Sequence, residues 1–212
     1  MQIVLQNAAK RFNKDWIFRK LSFTFSAGVS YAITGPNGSG KSTLLQVIAG
    51  AVNPTEGTVG YSFKNDLCKP EDAYKQLSIA APYLELVEEM TALELLTFHQ
   101  TFKPFIAGQT IQSIIEEVGL QSAANKQIRN YSSGMKQRIK LAQAIFSDVA
   151  VILLDEPCTN LDSTGFELYH SLVSKYCANR LVIVSSNDIN EYSFCTQKLN
   201  ILDYKVKAKS LA

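Results

Sequence analysis

The chain has 212 residues, which is enough for one ordinary α/β domain and excludes a large multidomain machine. Hydrophobic residues make up 46% and charged residues 19% of the sequence, which argues against a disordered chain, a collagen-like repeat or a coiled-coil rod. The formal net charge of +2 is too small to indicate nucleic acid or an anionic membrane surface as the main partner. We therefore expect a globular protein with no direct contact to nucleic acid.

The sequence contains no obvious membrane span or secretion signal. Its longest clean apolar run, at residues 149 to 154, has the length of a core strand, whereas a bilayer span needs roughly 18 to 20 apolar residues. The N-terminus alternates like a strand and lacks the basic start of a signal peptide, so we expect a cytoplasmic protein. The four cysteines form no C-x-x-C pair and are predicted to be reduced thiols: Cys68, Cys158, Cys177 and Cys195.

The first third of the chain is predicted to be rich in β-structure. Residues 2 to 6 and 21 to 25 alternate between apolar and polar side chains, which is typical of antiparallel strands with one face in water. Val29–Ile33 then predicts a strand that runs into a glycine-rich turn, and Ser42–Ala49 predicts a helix that ends at Gly50.

The rest of the chain predicts helices followed by a parallel sheet. From about Leu84 to Phe146, apolar residues recur at helical spacings of three and four. Residues 149 to 154 and 181 to 185 have the composition of fully buried strands, and the helical pattern from Gly165 to Cys177 between them completes a βαβ unit. The tail from Leu199 to Val206 predicts a final hairpin at the sheet edge.

The glycine-rich turn fits the phosphate-binding pattern G-x-x-x-x-G-K-[ST]. Its residues, called the phosphate loop below, are Gly35, Pro36, Asn37, Gly38, Ser39, Gly40, Lys41 and Ser42. Glycines allow backbone N–H groups to approach phosphate oxygens, and the following helix adds the positive end of its dipole. We expect Lys41 to bridge the β- and γ-phosphates, the Ser42 hydroxyl to ligate Mg²⁺ and Thr43 to assist at the α-phosphate.

Two carboxylates, Asp155 and Glu156, follow the strand predicted at residues 149 to 154. Ligands in open α/β sheets bind at the carboxyl ends of the strands. We therefore expect Asp155 to act at the Mg²⁺ ion and Glu156 to polarise the water that attacks the γ-phosphate. Without the phosphate loop, an Asp-Glu pair at this place would more often be a solvated turn.

Together with the phosphate loop, the segments Tyr131–Arg138 (YSSGMKQR) and Leu153–Pro157 (LLDEP) make the chain resemble an ATP-binding cassette (ABC) ATPase subunit over essentially its whole length. The YSSGMKQR segment looks like the form common in bacterial exporter cassettes. The resemblance implies an α/β fold: a P-loop NTPase (RecA-like) core with an antiparallel β subdomain and an inserted helical subdomain. The implied boundaries are core about 1–84 and 148–212, with the helical subdomain about 85–147.

The resemblance also implies a mechanism. Such a subunit binds and hydrolyses ATP with Mg²⁺ at a head-to-tail homodimer interface and drives a separate transmembrane permease subunit, so it is cytoplasmic and peripheral to the inner membrane. Its signature motif binds the γ-phosphate held by the opposite subunit, and here it corresponds to Ser132, Ser133 and Gly134. Taken without the family, these three residues are an ordinary helix N-cap.

Further positions follow from the resemblance one at a time. Phe12 falls where the family has an aromatic residue that stacks on adenine, with Trp16 and Phe18 as rivals that could equally be core residues. Asp162 resembles a residue at the dimer seam, although a helix N-cap is an equal alternative. Thr91 and Glu94 match the start of the helical subdomain, next to the docking region of the transmembrane partner.

The chain departs from the family pattern at two catalytic positions. Asn187 stands where the family usually has a histidine that contacts the γ-phosphate, and Tyr83 stands where it has a glutamine that contacts Mg²⁺ and the attacking water. An amide cannot carry positive charge or relay a proton, so these two departures leave slow hydrolysis open as an alternative to full turnover. The two histidines present, His99 and His170, are predicted to be surface or packing residues.

Two alternatives to a transporter motor stay open at this point. One is an ABC ATPase that acts without a membrane partner, and the other is a degenerate cassette that binds ATP with little hydrolysis. A small-molecule kinase is disfavoured because the signature and Asp-Glu-Pro segments would then be coincidences.

Overall fold

The computed structural model describes residues 1–63 and 66–205, which form two sheets and their covering helices. The first sheet is antiparallel and has the strand order β2-β1-β4-β5, with the bounds β1 Gln2–Phe12, β2 Asp15–Ser26, β4 Glu56–Phe63 and β5 Asp66–Cys68. Ile3 and Leu5 are buried and alternate with the less buried Gln2, Val4 and Gln6, so the burial follows the predicted period of two. Both first strands are longer than predicted because pairing continues past irregularities in register that disturb the alternation.

The second sheet is parallel and has the strand order β6-β7-β8-β3-β9. Its bounds are β3 Ser30–Thr34, β6 Leu77–Ala80, β7 Val151–Asp155, β8 Leu181–Ser185 and β9 Gln197–Asn200. All residues of β7 and β8 are buried, as their uninterrupted apolar composition predicts. The carboxyl ends of these strands therefore meet at one edge, where loops can form a ligand site.

Six α-helices are assigned in the described residues. Their bounds are α1 Lys41–Ile48, α2 Ala92–Phe102, α3 Ile111–Glu117, α4 Ser133–Phe146, α5 Ser163–Tyr176 and α6 Ile189–Tyr192. Thr91 and Glu94 form a reciprocal capping box that starts α2. Asp162 accepts a hydrogen bond from the Gly165 amide and so caps α5, which begins two residues before the predicted start.

Two hydrophobic clusters hold these layers together. One lies around α1, between the antiparallel sheet and one face of the parallel sheet, and contains Phe18, Leu45 and Ile183. The other joins the opposite face of the parallel sheet to helices α2 to α5, and contains Leu96 and Ile152. These layers confirm the predicted α/β cassette fold, while the subdomain boundaries near residues 84 and 148 stay a prediction.

The predicted hairpin at the end of the chain is wrong. β9 lies at the sheet edge but pairs in parallel with β3, and a short 3₁₀ helix at Ile201–Tyr204 follows it. The reason is local: the Asn200 side chain accepts a hydrogen bond from the Leu202 amide, which caps a helical turn instead of a β-turn. Val206, the last residue of the predicted hairpin, lies outside the described residues.

Within residues 1–63 and 66–205, none of the helices combines the length and the apolar character that a bilayer crossing requires. All four cysteines, each of them within those ranges, are free thiols, as predicted.

Candidate nucleotide-binding site

The phosphate loop connects β3 to α1 and needs its glycines. Gly40 has φ of +99°, and a Cβ atom there would lie 2.2 Å from Cγ2 of Ile17. Gly35 is also confined, although less tightly, because a Cβ atom there would lie 2.8 Å from Cγ2 of Ile201. The Lys41 ammonium is buried and donates hydrogen bonds to the carbonyl oxygens of Gly35, at 3.0 Å, and Pro36, at 3.4 Å. The lysine is thus held inside the loop that its charge is predicted to serve.

A cavity of about 280 Å³ opens beside this loop. Its lining brings together most of the predicted ATP-binding residues with the predicted base, and consists of Phe12, Ile17, Asn37, Gly38, Gly40, Lys41, Ser42, Thr43 and Glu156. Gly35, Pro36 and Ser39 belong to the same loop but do not line this cavity, and Ser39 is buried. The cavity therefore joins an aromatic side chain, a cation and a carboxylate at the edge where the parallel strands end.

The three rival aromatic residues lie in different surroundings. Phe18 is fully buried in the core, and Trp16 packs under the guanidinium groups of Arg11, at 5.1 Å, and Arg19, at 4.1 Å. Phe12 is 47% exposed and borders the cavity. Among these three, Phe12 is the one that lines the cavity beside the phosphate loop.

Asp155 and Glu156 end β7 in contrasting environments. Asp155 is 1% exposed, and its Oδ1 atom is buried without a hydrogen bond in the described part of the chain. Glu156 takes a left-handed backbone conformation with φ of +43°, which is costly for a residue with a Cβ atom. Its amide donates to the Ser185 carbonyl at 2.8 Å, so the turn is tied to the end of β8.

The two residues that depart from the family pattern both contact the phosphate-loop region. The Asn187 amide donates to Oδ1 of Asn37 at 3.1 Å. Burial and the charge of Asp155 raise the pKa of Tyr83, while a hydrogen bond with the Gln46 side chain opposes the shift. The Tyr83 hydroxyl therefore lies near α1 and Asp155, and it is a neutral hydrogen-bonding group at physiological pH.

The residues predicted to act at Mg²⁺ offer a donor set that suits this ion. Ser42 and Asp155 supply oxygen atoms, and the free Oδ1 of Asp155 is an acceptor that a metal-bound water would satisfy. Within the described ranges, no group of three or more histidine, cysteine, aspartate or glutamate residues could hold a metal alone.

The signature residues lie in a different cavity. Ser132 caps α4 by accepting from the Met135 amide at 3.2 Å, and it lines a cleft of about 350 Å³ with Ser133, Gly134 and the segment Asn160–Asp162. Neither the phosphate loop nor Glu156 lines this cleft. A single chain therefore presents the two halves of the predicted ATP site on separate surfaces.

Sequence reasoning missed three residues at these sites. Ile17 forms part of the cavity wall, Gln46 contacts Tyr83, and Gln137 donates from α4 to the Pro157 carbonyl at 2.7 Å. Gln46 lies four residues after Ser42 and so shares its helix face, which the helical period could have revealed. No local signal marks Ile17, because it reaches the loop only through the packing of the antiparallel sheet on α1.

Comparison with known proteins agrees with this geometry. A family model described as ABC transporter matches residues 18–159. The uncharacterized ABC transporter ATP-binding protein YybJ of Bacillus subtilis (strain 168) is 30% identical over 198 residues, which are 91% of this chain and 89% of that protein. The dimeric structure of MJ0796, a bacterial ABC transporter cassette, has a TM-score of 0.80 at 26% identity and covers 97% of this chain and 97% of its own. A putative ABC transporter ATP-binding protein from Pyrococcus furiosus has a TM-score of 0.82 at 19% identity, covers 97% of this chain and 100% of its own, and shares the fold.

These matches span the phosphate loop, the signature segment and the acidic end of β7, and they confirm the family that those motifs predict. The chain belongs to the ABC transporter family and is an ATP-binding subunit, an ATPase of the kind that is coupled to transport.

Proposed function

We propose that the chain binds MgATP in the cavity beside the phosphate loop and hydrolyses it in a homodimer with two composite sites. The observation that carries this proposal is the separation of the two surfaces: the cavity has the loop, Phe12 and Glu156, while the signature residues line another cleft. A second copy turned head to tail brings its signature to the first copy's phosphates. The solved structure of the relative MJ0796, which is similar over 97% of this chain, is dimeric and so supports a dimer.

Each residue of the first surface then has a role. Phe12 stacks on adenine, Lys41 binds the β- and γ-phosphates, and Glu156 polarises the attacking water. Mg²⁺, held through Ser42 and Asp155, neutralises phosphate charge when it is bound. Asn187 and Tyr83 place neutral hydrogen-bonding groups near the γ-phosphate and the metal, and so support slower turnover than a charged or proton-relaying group would.

The proposed transmembrane partner docks beside α2. Phe98 and Phe102 are 48% and 71% exposed, and their rings meet edge to face at 5.0 Å on this helix. Exposed aromatic pairs of this kind mark protein contact surfaces. Through that contact the subunit lies at the cytoplasmic side of the membrane.

The composite site is tested by mixing two defective variants. Lys41→Ala removes the loop cation but keeps the signature, and Ser133→Glu places a carboxylate where the partner's γ-phosphate would lie. Ser133 is exposed at the first position of α4, where a glutamate is compatible with the helix. Each variant alone should be inactive, whereas an equimolar mixture should recover about a quarter of wild-type turnover, because half of the dimers then contain one intact site.

Ser133→Gln is the matched control, because it has the same size as the glutamate without the charge. Turnover in Ser133→Gln above that in Ser133→Glu would assign the additional defect to the carboxylate. A mixture as inactive as its components would contradict the site shared between two chains. The second candidate function is a degenerate cassette, and it is suggested by Asn187 and Tyr83 at the two catalytic positions. Wild-type protein that binds ATP without hydrolysing it would favour that candidate.

A further inference from the structure

Glu191 is a buried carboxylate outside the ATP cavity. It lies on the short helix α6, and the residue is only 5% exposed. Glutamate is almost never buried without a partner, because transfer of a charged carboxylate from water to the interior is costly. The contacts of its side chain therefore require an explanation.

The Glu191 carboxylate ties α6, which follows β8, to the turn that follows the neighbouring strand β7. Its Oε1 atom accepts a hydrogen bond from the Cys158 amide at 2.9 Å, in the turn after β7. Its Oε2 atom is buried without a hydrogen bond in the described part of the chain. Burial raises the pKa of Glu191, and the hydrogen bond from the Cys158 amide opposes that shift. One side chain thus bridges the segments that hold Glu156 and Asn187.

The turn held by this bridge is the one that shapes Glu156. The Thr159 amide donates to the Glu156 carbonyl at 3.1 Å, so residues 156 to 159 form a tight turn, and Cys158 lies within it. Glu156 itself has the left-handed conformation that its surroundings must maintain. Loss of the bond to Cys158 would allow this turn to relax and would move the Glu156 carboxylate relative to the phosphates.

Anchoring of α6 alone does not explain the charge. The Tyr169 hydroxyl donates to the Glu191 backbone carbonyl at 2.8 Å, and this bond fastens the helix to α5 without using the carboxylate. An apolar side chain of similar volume would be buried at lower cost. The one hydrogen bond that the carboxylate accepts in the described residues comes from the Cys158 amide.

We propose that Glu191 is a positioning residue for ATP hydrolysis, which holds the Glu156 turn in its catalytic geometry through the Cys158 amide. This inference rests on the proposed role of Glu156 as the group that polarises water. It assigns Glu191 no contact with ATP, so nucleotide affinity and turnover should respond differently to its replacement.

The test compares Glu191→Ala, Glu191→Gln and Tyr169→Phe in the full-length chain. Glu191→Ala should lower kcat by on the order of tenfold or more, because even a displacement of about 1 Å can cost about 100-fold. The Kd for a fluorescent ATP analogue should change less than about twofold, since the phosphate loop is untouched. Hydrogen exchange at the Cys158 amide should accelerate.

Glu191→Gln keeps an acceptor oxygen for the Cys158 amide, so it should restore most of the turnover and the protection of that amide. Tyr169→Phe is the matched control for stability: it should lower the melting temperature but leave kcat near the wild-type value. If Glu191 had a purely structural role, its replacement would affect stability and turnover in the same way as Tyr169→Phe does. A loss of turnover in Glu191→Ala that Tyr169→Phe does not share would therefore indicate a positioning role.

Provided that the wild type hydrolyses ATP, three results would overturn the inference. The first is an unchanged kcat in folded Glu191→Ala, and the second is a parallel loss of ATP affinity and kcat in that variant. The third is a Glu191→Gln variant that is as slow as Glu191→Ala. If Glu191→Ala does not fold, the test of the positioning role uses Glu191→Gln instead. Two quantities are then measured on that variant: the hydrogen-exchange rate of the Cys158 amide and kcat. Wild-type-like turnover after loss of that amide's protection would refute the positioning role. Failure of the proposed function is distinguishable, because Glu156→Gln would then hydrolyse ATP as fast as the wild type.

Discussion

At the residue scale, Asn187 differs from the family pattern but still places a hydrogen-bonding side chain at the candidate site. Its side chain contacts Asn37 of the phosphate loop. Two hydrogen-bonded amides therefore occupy the position where the resemblance predicts an imidazole beside the γ-phosphate. Both asparagines are exposed, and a hydrogen bond between exposed neutral groups contributes little to stability. We therefore expect a substitution of Asn187 to change turnover more than stability.

Asn187→His should raise kcat by about threefold or more, because an imidazole adds a donor that can carry charge at the γ-phosphate. The variant should also acquire a pH dependence near the ordinary histidine pKa of about 6.5, which the asparagine cannot supply. Steady-state phosphate release between pH 6 and 8 measures both effects.

The control for this exchange is Asn37→Ala, which breaks the same hydrogen bond but leaves residue 187 unchanged. If Asn37→Ala and Asn187→Ala have equal effects on kcat, the pair acts through its mutual bond. Unchanged kcat in Asn187→His would show that residue 187 does not reach the γ-phosphate.

At the scale of secondary-structure elements, His99 joins α2 to the end of α4. Its Nε2 atom lies 2.8 Å from Ser147 Oγ, and the Gln143 amide lies 3.3 Å from its Nδ1 atom. The ring also stacks on Phe105 with a centroid distance of 5.7 Å. His99 is therefore a satisfied packing residue, as the sequence predicts, and its contacts require the neutral ring.

Burial and the nearby Lys103 ammonium lower the pKa of His99 from its ordinary value of 6.5 to about 4. Below pH 6.5 the unfolded chain takes up a proton that the folded chain refuses, so the free energy of unfolding should fall as the pH decreases towards 4. The slope from one proton is at most about 1.4 kcal/mol per pH unit, and it is smaller here because the ring keeps some contact with water.

Denaturant unfolding at pH 7 and pH 4.5 tests this expectation against a His99→Gln variant, whose amide can still bond to Ser147. The variant should lose less stability than the wild type across this range. The matched control is His170→Gln, on α5, which should resemble the wild type. An identical loss in wild type and His99→Gln would mean that other groups account for the acid sensitivity.

At the scale of the whole molecule, the proposed composite ATP site needs a second copy to complete it, because the loop cavity and the signature cleft are separate. Without hydrolysis, ATP should hold the two copies together, because the nucleotide is bound by both. Glu156→Gln should therefore form a stable dimer with MgATP, at twice the mass of the 23.5 kDa chain by light scattering.

The double variant Glu156→Gln with Lys41→Ala is the control and should stay monomeric at the same ATP concentration. ADP should also fail to hold the dimer, since it lacks the phosphate that the signature is predicted to bind. A Glu156→Gln protein that binds ATP yet stays at the monomer mass would exclude the sandwich arrangement.

Much of this molecule follows from local sequence. Hydrophobic period distinguishes the buried strands β7 and β8 from the helices, and the phosphate loop is recognisable because glycine, lysine and serine must occupy fixed places around a phosphate. Asp162 and Ser132 cap helices as their residue types predict. Such features depend on a few consecutive residues, so their physics is contained in the sequence itself.

Tertiary structure alone decided the rest. The parallel pairing of β9, the wall that Ile17 forms beside Gly40, and the bridge from Glu191 to Cys158 each join residues that lie far apart in the chain. The same holds for Phe12, whose exposure beside the cavity distinguishes it from the buried Phe18. A local sequence pattern shows whether a segment is a helix or a strand, but it does not show which other elements pack against that segment. Those packing partners depend on the fold of the whole chain.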